Sequence, residues 1–375
     1  MKQKKTVVLI GFGGIARSWL RNIRGHDEWD LIGIVDINTE LLENIHKMVP
    51  ELDEDQAFMS IENAVRFGEK PDLAIVCTPI PTHSGLVKEV MDLDINVICE
   101  KNMASNIPQA KQMVQYAIDH PELCTATGTQ YRYNQHNWTA RHFFTTGAYL
   151  DAIGTLGMML WHDFGFRGEK RWGWRRFLQD VYLEDMSVHW FDTMRYVTGM
   201  NIVQVKADVF KPAYSEWHGS STVYASLALA KPEDYHDRSK WVWCQFAGDW
   251  QRGPIADPHN RRQEFYGKKG FARISTFGVE INKYKTWAKM HNDFEQDAYL
   301  ALDSGSIEGI DKPYTGQGII LEMMSRGIDS GGEKQPGTNF KEAFKSFAVS
   351  MACRESSFTG DAVWVPGYWK HLLEA

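Results

Sequence analysis

The feature that most constrains this 375-residue chain is Gly11-Phe12-Gly13-Gly14-Ile15-Ala16, a G-x-G-x-x-A run. It directly follows the apolar stretch Thr6 to Ile10 and opens a helical pattern over Ile15 to Arg24. In that context each small residue has a physical task. Gly11 allows a tight turn, Gly13 lets the backbone approach a pyrophosphate, and Ala16 permits close helix packing, while the helix N-terminus offers N–H groups to an anion. Asp36 stands 20 residues after Ala16, behind a second apolar run, where a carboxylate can accept hydrogen bonds from ribose hydroxyls. The residues Gly11 to Ala16, Asp36 and Ile37 are therefore candidate dinucleotide ligands. Because Ile37 and Asn38 leave no cation beside Asp36 for a 2'-phosphate, NAD is expected in preference to NADP.

The surrounding pattern sets the architecture. Short apolar runs, Thr6 to Ile10, Leu31 to Val35, Leu73 to Cys77 and Asn96 to Cys99, alternate with helical patterns at Ile15 to Arg24, Thr39 to Met48, Ser84 to Leu93 and Pro108 to His120. This repetition predicts a doubly wound parallel sheet over residues 1–128. Beyond Gly128 strand patterns follow one another at Gln204 to Phe210, Thr222 to Ala230, Trp241 to Gly248, Gln263 to Tyr266 and Phe271 to Thr276, which predicts an α+β domain with a mostly antiparallel sheet over residues 129–375. Late helices are expected at Gly318 to Gly327 and Phe340 to Glu355.

A net charge of -7 argues against nucleic acid as a partner, since phosphate backbones require a basic footprint. No run approaches the roughly 18 apolar residues of a membrane helix, and Thr6 to Ile10 reads as a strand rather than the core of a signal peptide. The five cysteines are scattered and odd in number, which fits a reducing cytoplasm. His136, His142 and His162 lack a metal-ligand spacing, so no metal is expected.

A second set of motifs carries a resemblance. Thr78-Pro79-Ile80-Pro81-Thr82-His83, Cys99-Glu100-Lys101 and Glu184-Asp185-Met186-Ser187-Val188-His189-Trp190-Phe191-Asp192 resemble, in order and spacing, the T-P-x-x-x-H, E-K-P and D-x-G-x-H-x-x-D signatures of the Gfo/Idh/MocA oxidoreductases, and Trp174-Arg175 resembles a W-R pair near the cofactor. Asn102 replaces the proline and Ser187 the glycine of those signatures. The resemblance implies an N-terminal Rossmann domain, a second domain built on a large open-faced sheet, and assembly as a homo-oligomer, a dimer or tetramer. It adds Thr78, Pro79, His83, Glu100, Lys101, Trp174 and Arg175 to the expected cofactor contacts. It also implies that Lys101 hydrogen-bonds the reacting oxygen.

The residues make an independent case for the chemistry. Asp185, His189, Asp192 and Tyr196, spaced four, three and four apart, fall on one face of a helix expected over Asp185 to Gly199. Oxidising a secondary alcohol needs a base for the hydroxyl proton, a role suited to His189 with Asp185 one turn away to orient it. Asp192 reads as structural. Of 14 tryptophans only Trp19 and Trp29 precede residue 130, so the second domain is rich in flat aromatic faces suited to sugars, or to filling a core. Lys101, Arg132, Trp161, Trp172, Asp185 and His189 are the expected substrate contacts. Three functions are compatible with these features: an NAD-linked dehydrogenase of a sugar, cyclitol or sugar derivative, a redox-neutral NAD-dependent glycoside-cleaving enzyme, and a non-catalytic sugar sensor.

Overall fold

Continuous apolar runs build the first sheet, because a parallel strand covered on both faces cannot alternate with polar residues. In the computed structural model, which describes residues 4–165, 167–168, 172–251, 261–275, 278–283, 298–301, 308–310, 314 and 316–373, these runs become β1 (Lys5–Ile10), β2 (Trp29–Val35), β3 (Ala57–Phe58), β4 (Leu73–Val76), β5 (Asn96–Cys99) and β6 (Thr125–Thr127). All pair in parallel in the order β3-β2-β1-β4-β5-β6. The helices between them are α1 (Gly14–Arg24), α2 (Thr39–Glu43), α3 (Ile45–Met48), α4 (Ile61–Phe67), α5 (His83–Asp92) and α6 (Ile107–Asp119). The expected Thr39 to Met48 helix is broken at Asn44, which serves as C-cap of α2 and N-cap of α3. Strands β3 and β6, only two and three residues long, carry too little periodicity to be read from sequence.

The chain divides into two compact units, Met1–Gln130 with Pro313–Phe344 and Leu372–Ala375, and Tyr131–Lys312 with Lys345–His371. The expected second domain over 129–375 is corrected accordingly. Late in the sequence the chain returns to the first unit, where Gln317–Asp329 forms a helix whose Leu321 carbonyl accepts from the Trp29 indole at 3.1 Å. Gln317 there accepts from Ser18 at 2.7 Å, and Lys5 pairs with Asp329 at 2.9 Å. Thr127 N–H donates to the Thr338 carbonyl, covering the β6 edge. The helix was legible; its docking face depends on partners some 300 residues away.

The second unit holds α7 (Gln135–Thr145), α8 (Ala148–Ala152), α9 (Val188–Thr198) and the strands β7 (Leu156–Phe164), β8 (Asn201–Phe210), β9 (Thr222–Ala230), β10 (Val242–Asp249), β11 (Arg261–Gly267), β12 (Gly270–Ser275), β13 (Gly278–Lys283), β14 (Ala298–Ala301) and β15 (Val363–Trp364). Their order is β14-β13-β12-β11-β7-β10-β9-β8-β15, antiparallel throughout except for the parallel pair β7 and β10. Thr276, the end of one predicted strand, lies outside the described residues.

One face of this sheet is covered. Trp161, Phe246 and Phe265 meet Trp190, Phe191 and Phe144 from the helices at centroid distances of 6.0, 5.1 and 4.5 Å. Each such burial contributes roughly 1.5–3 kcal/mol. The sheet's other face leaves Met158, Tyr224 and Phe210 exposed, as an open-faced sheet does. On β10, Gly248 is required by the Tyr182 ring, which a Cβ there would meet at 2.1 Å.

Candidate active site

In the first unit the candidate residues gather at the C-terminal ends of β1, β2, β4 and β5. Strand order reverses between β1 and β4, the place where open α/β sheets hold ligands. Gly11 has φ +83°, and a Cβ there would lie 2.7 Å from Thr78 Cγ2, so only glycine closes this turn against the Thr78 loop. Gly13 and Gly14 face open space. Gly13 is the N-cap of α1, no side chain caps it, and no acidic residue occupies the first turn. The Asp36 carboxylate already accepts from the Phe12 N–H at 2.8 Å and the Asn38 N–H at 2.9 Å, which ties the glycine turn to β2 and leaves lone pairs outward. Ile37 is exposed beside it. Open glycines, an uncapped helix N-terminus and a partly used carboxylate fit a dinucleotide, with Gly11 to Ala16 at the pyrophosphate and Asp36 at the ribose.

The Thr78 loop continues into α5. Thr78 and Thr82 hydroxyls lie 2.7 Å apart, and Pro79 caps the short turn that follows. His83, expected on the cofactor side, is wholly buried, with Nδ1 2.8 Å from the Asn102 carbonyl and Nε2 2.8 Å from the Thr78 carbonyl. Burial pushes its pKa down, the two carbonyls oppose that, and the Lys101 charge adds to the lowering. Its ring links two backbone loops. Glu100 is buried, with Oε1 accepting from the Trp19 indole at 2.8 Å and Oε2 facing the Lys101 N–H at 3.2 Å.

In the second unit the expected continuous helix differs at its start. Leu183–Ser187 is a π-turn, and α9 begins at Val188. The Ser187 hydroxyl donates to the Leu183 carbonyl at 2.6 Å, drawing off an acceptor that an α-helix would use. Asp185 therefore projects from the wider turn while His189 stands on α9; π-turns of this kind are frequent at functional sites. Asp185 Oδ2 accepts from Arg175 Nε at 2.7 Å, and the Arg175 guanidinium lies 4.6 Å from the Trp174 ring. His189 is buried and stacked on Tyr131, with centroids 4.1 Å apart and planes at 10°. Tyr131 in turn meets the edge of Trp190.

Beside them, Asp163 on β7 accepts from Tyr182 and Trp190 at 3.0 Å each and from Arg261 Nε at 3.0 Å. Arg261 also lies over the Trp190 ring, and burial together with the Arg261 charge pushes the pKa of nearby His136 down. Sequence reasoning missed Tyr131, Asp163 and Arg261. Only Tyr131 carried a signal, as the neighbour of Arg132 after the last Rossmann strand.

Two expected substrate contacts are corrected. Trp161 is 0% exposed and packs between Trp190 and Phe265, so its ring belongs to the core. Arg132 is buried, with Nε 2.7 Å from Asp192 and a second contact from Nη2. Burial opposes its charge, but Asp192 more than compensates and holds the pKa above the ordinary arginine range. Trp172, by contrast, is exposed. Most of the other aromatic excess fills the interior: Trp190, Trp217, Trp250 and Trp369 are all at most 3% exposed.

A parallel 3-2-1-4-5-6 sheet with this glycine turn and acidic strand end defines an NAD-binding Rossmann domain. Residues 5–127 match the oxidoreductase family with an NAD-binding Rossmann fold. Over these residues the chain is similar to the Gfo/Idh/MocA oxidoreductases, whose motifs its sequence resembles. No curated protein sequence matches it significantly.

Among solved structures, an oxidoreductase from Agrobacterium radiobacter in complex with NAD+, L-tartaric acid and magnesium is similar with TM-score 0.76 and 17% identity, over 97% of this chain and 99% of that one. The aldose-aldose oxidoreductase from Caulobacter crescentus, complexed with glycerol, gives 0.74 and 17% over 96% and 100%. The myo-inositol 2-dehydrogenase from Lactobacillus plantarum gives 0.71 and 17% over 96% and 99%. These likenesses extend the shared fold to the second unit. No helix among the described residues is long and apolar enough to cross a membrane.

Proposed function

We propose that this oxidoreductase moves a hydride between NAD and a secondary alcohol carbon of a sugar, cyclitol or sugar derivative. The observation that carries the reading is the His189 environment: a buried imidazole stacked on Tyr131, following a π-turn that presents Asp185. That environment supports a role for His189 as a positioned proton carrier beside an aromatic wall. The carbohydrate class draws support from the full-length likeness to an aldose-aldose oxidoreductase and a myo-inositol 2-dehydrogenase. Exposed Trp172 and half-buried Trp174 supply faces suited to sugar C–H groups.

When bound, NAD supplies the hydride-accepting ring. His189 takes the hydroxyl proton as the carbinol carbon is oxidised and returns it in the reverse direction. Lys101 donates a hydrogen bond to the reacting oxygen, stabilising the negative charge that develops there. Asp185 positions the histidine side of the site and is itself held by Arg175. A preference for NAD over NADP follows from Asp36, whose carboxylate repels a 2'-phosphate, and from Ile37, which offers it no cation. Assembly as a homo-oligomer through the open sheet face completes the proposal: in light-scattering measurements Met158→Glu with Tyr224→Asp should shift the mass toward a monomer.

The test is a panel of sugars, cyclitols and aryl glycosides with NAD and with NADP, following nicotinamide absorbance and product release together. Absorbance change without glycoside cleavage supports the reading. Cleavage with no net absorbance change replaces it with redox-neutral chemistry, and binding without turnover replaces it with a sensor.

A further inference from the structure

Glu100 sits directly before Lys101, yet it is only 3% exposed, whereas a glutamate ordinarily stays in contact with solvent. Two features hold it there. Trp19, itself fully buried on α1, points its indole N–H at Oε1 from 2.8 Å. Gly128 leaves the space that the carboxylate fills: a Cβ at 128 would lie 2.5 Å from Oε1 and 2.7 Å from Cδ. The other carboxylate oxygen faces the Lys101 backbone N–H at 3.2 Å. Past Lys101, the Asn102 carbonyl is met by the buried His83 ring at 2.8 Å. Thus the turn bearing Lys101 is held on both sides. One brace comes from Trp19 on α1, the other from His83 at the start of α5.

We propose that Trp19 is a positioning residue for Lys101, acting through Glu100, with His83 bracing the opposite side of the same turn. The proposal rests on the reading of Lys101 as a proton-transfer group. A charge-assisted hydrogen bond to a buried carboxylate fixes geometry more firmly than a neutral one. Rigid support of this kind keeps an active-site group in productive geometry. Trp19→Phe removes the donor while keeping most of the apolar bulk. Gly128→Ala presses on Glu100 from the other side without touching Trp19, and His83→Asn tests the second brace.

The experiment measures turnover, KM, NAD affinity and the pH profile for each variant that retains the wild-type circular dichroism. Each is made alone and in a Lys101→Met background. Trace acetylation of Lys101, relative to exposed Lys111 and read by peptide mass spectrometry, follows the lysine independently of activity. The expected result for Trp19→Phe is a fall in kcat of about tenfold, the scale of one hydrogen bond to a charged group. NAD affinity should be little changed, the pH profile displaced, and the relative acetylation of Lys101 altered.

In the Lys101→Met background the same substitution should have no further effect, because a residue that acts through Lys101 has nothing left to position. An equal fall in both backgrounds, or unchanged kcat and acetylation in folded Trp19→Phe and Gly128→Ala, overturns the proposal. If Lys101→Met alone leaves turnover intact, the catalytic reading of Lys101 fails instead. The acetylation measurement then decides the brace by itself, an altered rate supporting it and an unaltered one refuting it.

Discussion

The Asp36 carboxylate holds two backbone N–H groups before any ligand reaches it, so its loss has two consequences. Asp36→Ala should weaken NAD by about tenfold, the scale of a hydrogen bond to a charged group, and should raise the relative affinity for NADP by removing the repulsion. Calorimetric titration with both cofactors checks this; an unchanged NAD-to-NADP ratio would contradict the role. His189→Ala should lower turnover by about 10²–10⁴-fold, the range of general acid–base catalysis, with NAD affinity unaltered. Full activity in that variant returns His189 to a packing role against Tyr131. At this scale the sequence was legible where function is local: the glycine turn and Asp36 are set by spacing along one chain segment. It was not legible for Tyr131, Trp19 or Arg261, whose partners come from other elements. Trp161 was misread because an aromatic side chain looks the same in sequence whether it meets a sugar or a sheet core.

Among elements, the helix bearing His189 is fixed by contacts that its own periodicity does not reveal. Asp192 receives Arg132 from the turn Gln130–Tyr133 and the Ser346 hydroxyl at 3.2 Å from the helix Phe340–Thr359, while Arg195 donates to Ser346 at 2.7 Å. The expectation that Asp192 is structural carries no means to name Arg132 as its partner, which is why Arg132 stands among the expected substrate contacts. Arg132→Met leaves a buried carboxylate without its main counter-charge and should cost about 3–5 kcal/mol, whereas Arg132→Met with Asp192→Leu should recover much of that loss. Urea denaturation of the two variants measures the difference. Equal stability of both would show that the ion pair does not anchor α9. The element order of the first unit was readable because β-α alternation repeats. The π-turn at Leu183–Ser187 was not, since the Ser187 hydroxyl bond back to Leu183 recurs at Thr193 and Thr198 within the regular α9 and so does not mark a π-turn in the sequence.

For the whole molecule, the clearest solution property follows from where its acidic protons are kept. All five cysteines are buried. Burial pushes the thiols of Cys77 and Cys99 well up, with Glu100 adding to the effect, raises Cys124 to about 11, and raises Cys244 and Cys353 further. Tyr133, Tyr182 and Tyr196 are likewise held protonated, chiefly by burial. A group whose folded pKa exceeds its unfolded value contributes its stability in full below the unfolded pKa and loses it as pH rises toward the folded one. For these thiols the loss begins near pH 8.5, the ordinary cysteine value, and the tyrosines join near pH 10. Within that window each thiol contributes a slope of up to about 1.4 kcal/mol per pH unit, because the unfolded chain releases a proton that the folded chain retains. Thermal or urea unfolding should therefore be nearly independent of these groups between about pH 6.5 and 7.5, by the same reference values, and should become steadily easier as pH rises through about 8.5. Cys244→Ala and Cys353→Ala should each flatten the alkaline slope even where they lower stability at neutral pH. A disulfide-exchange reagent at pH 8 should label the thiols only as fast as the protein opens, and labelling at the rate of free cysteine would show that the thiols are not enclosed.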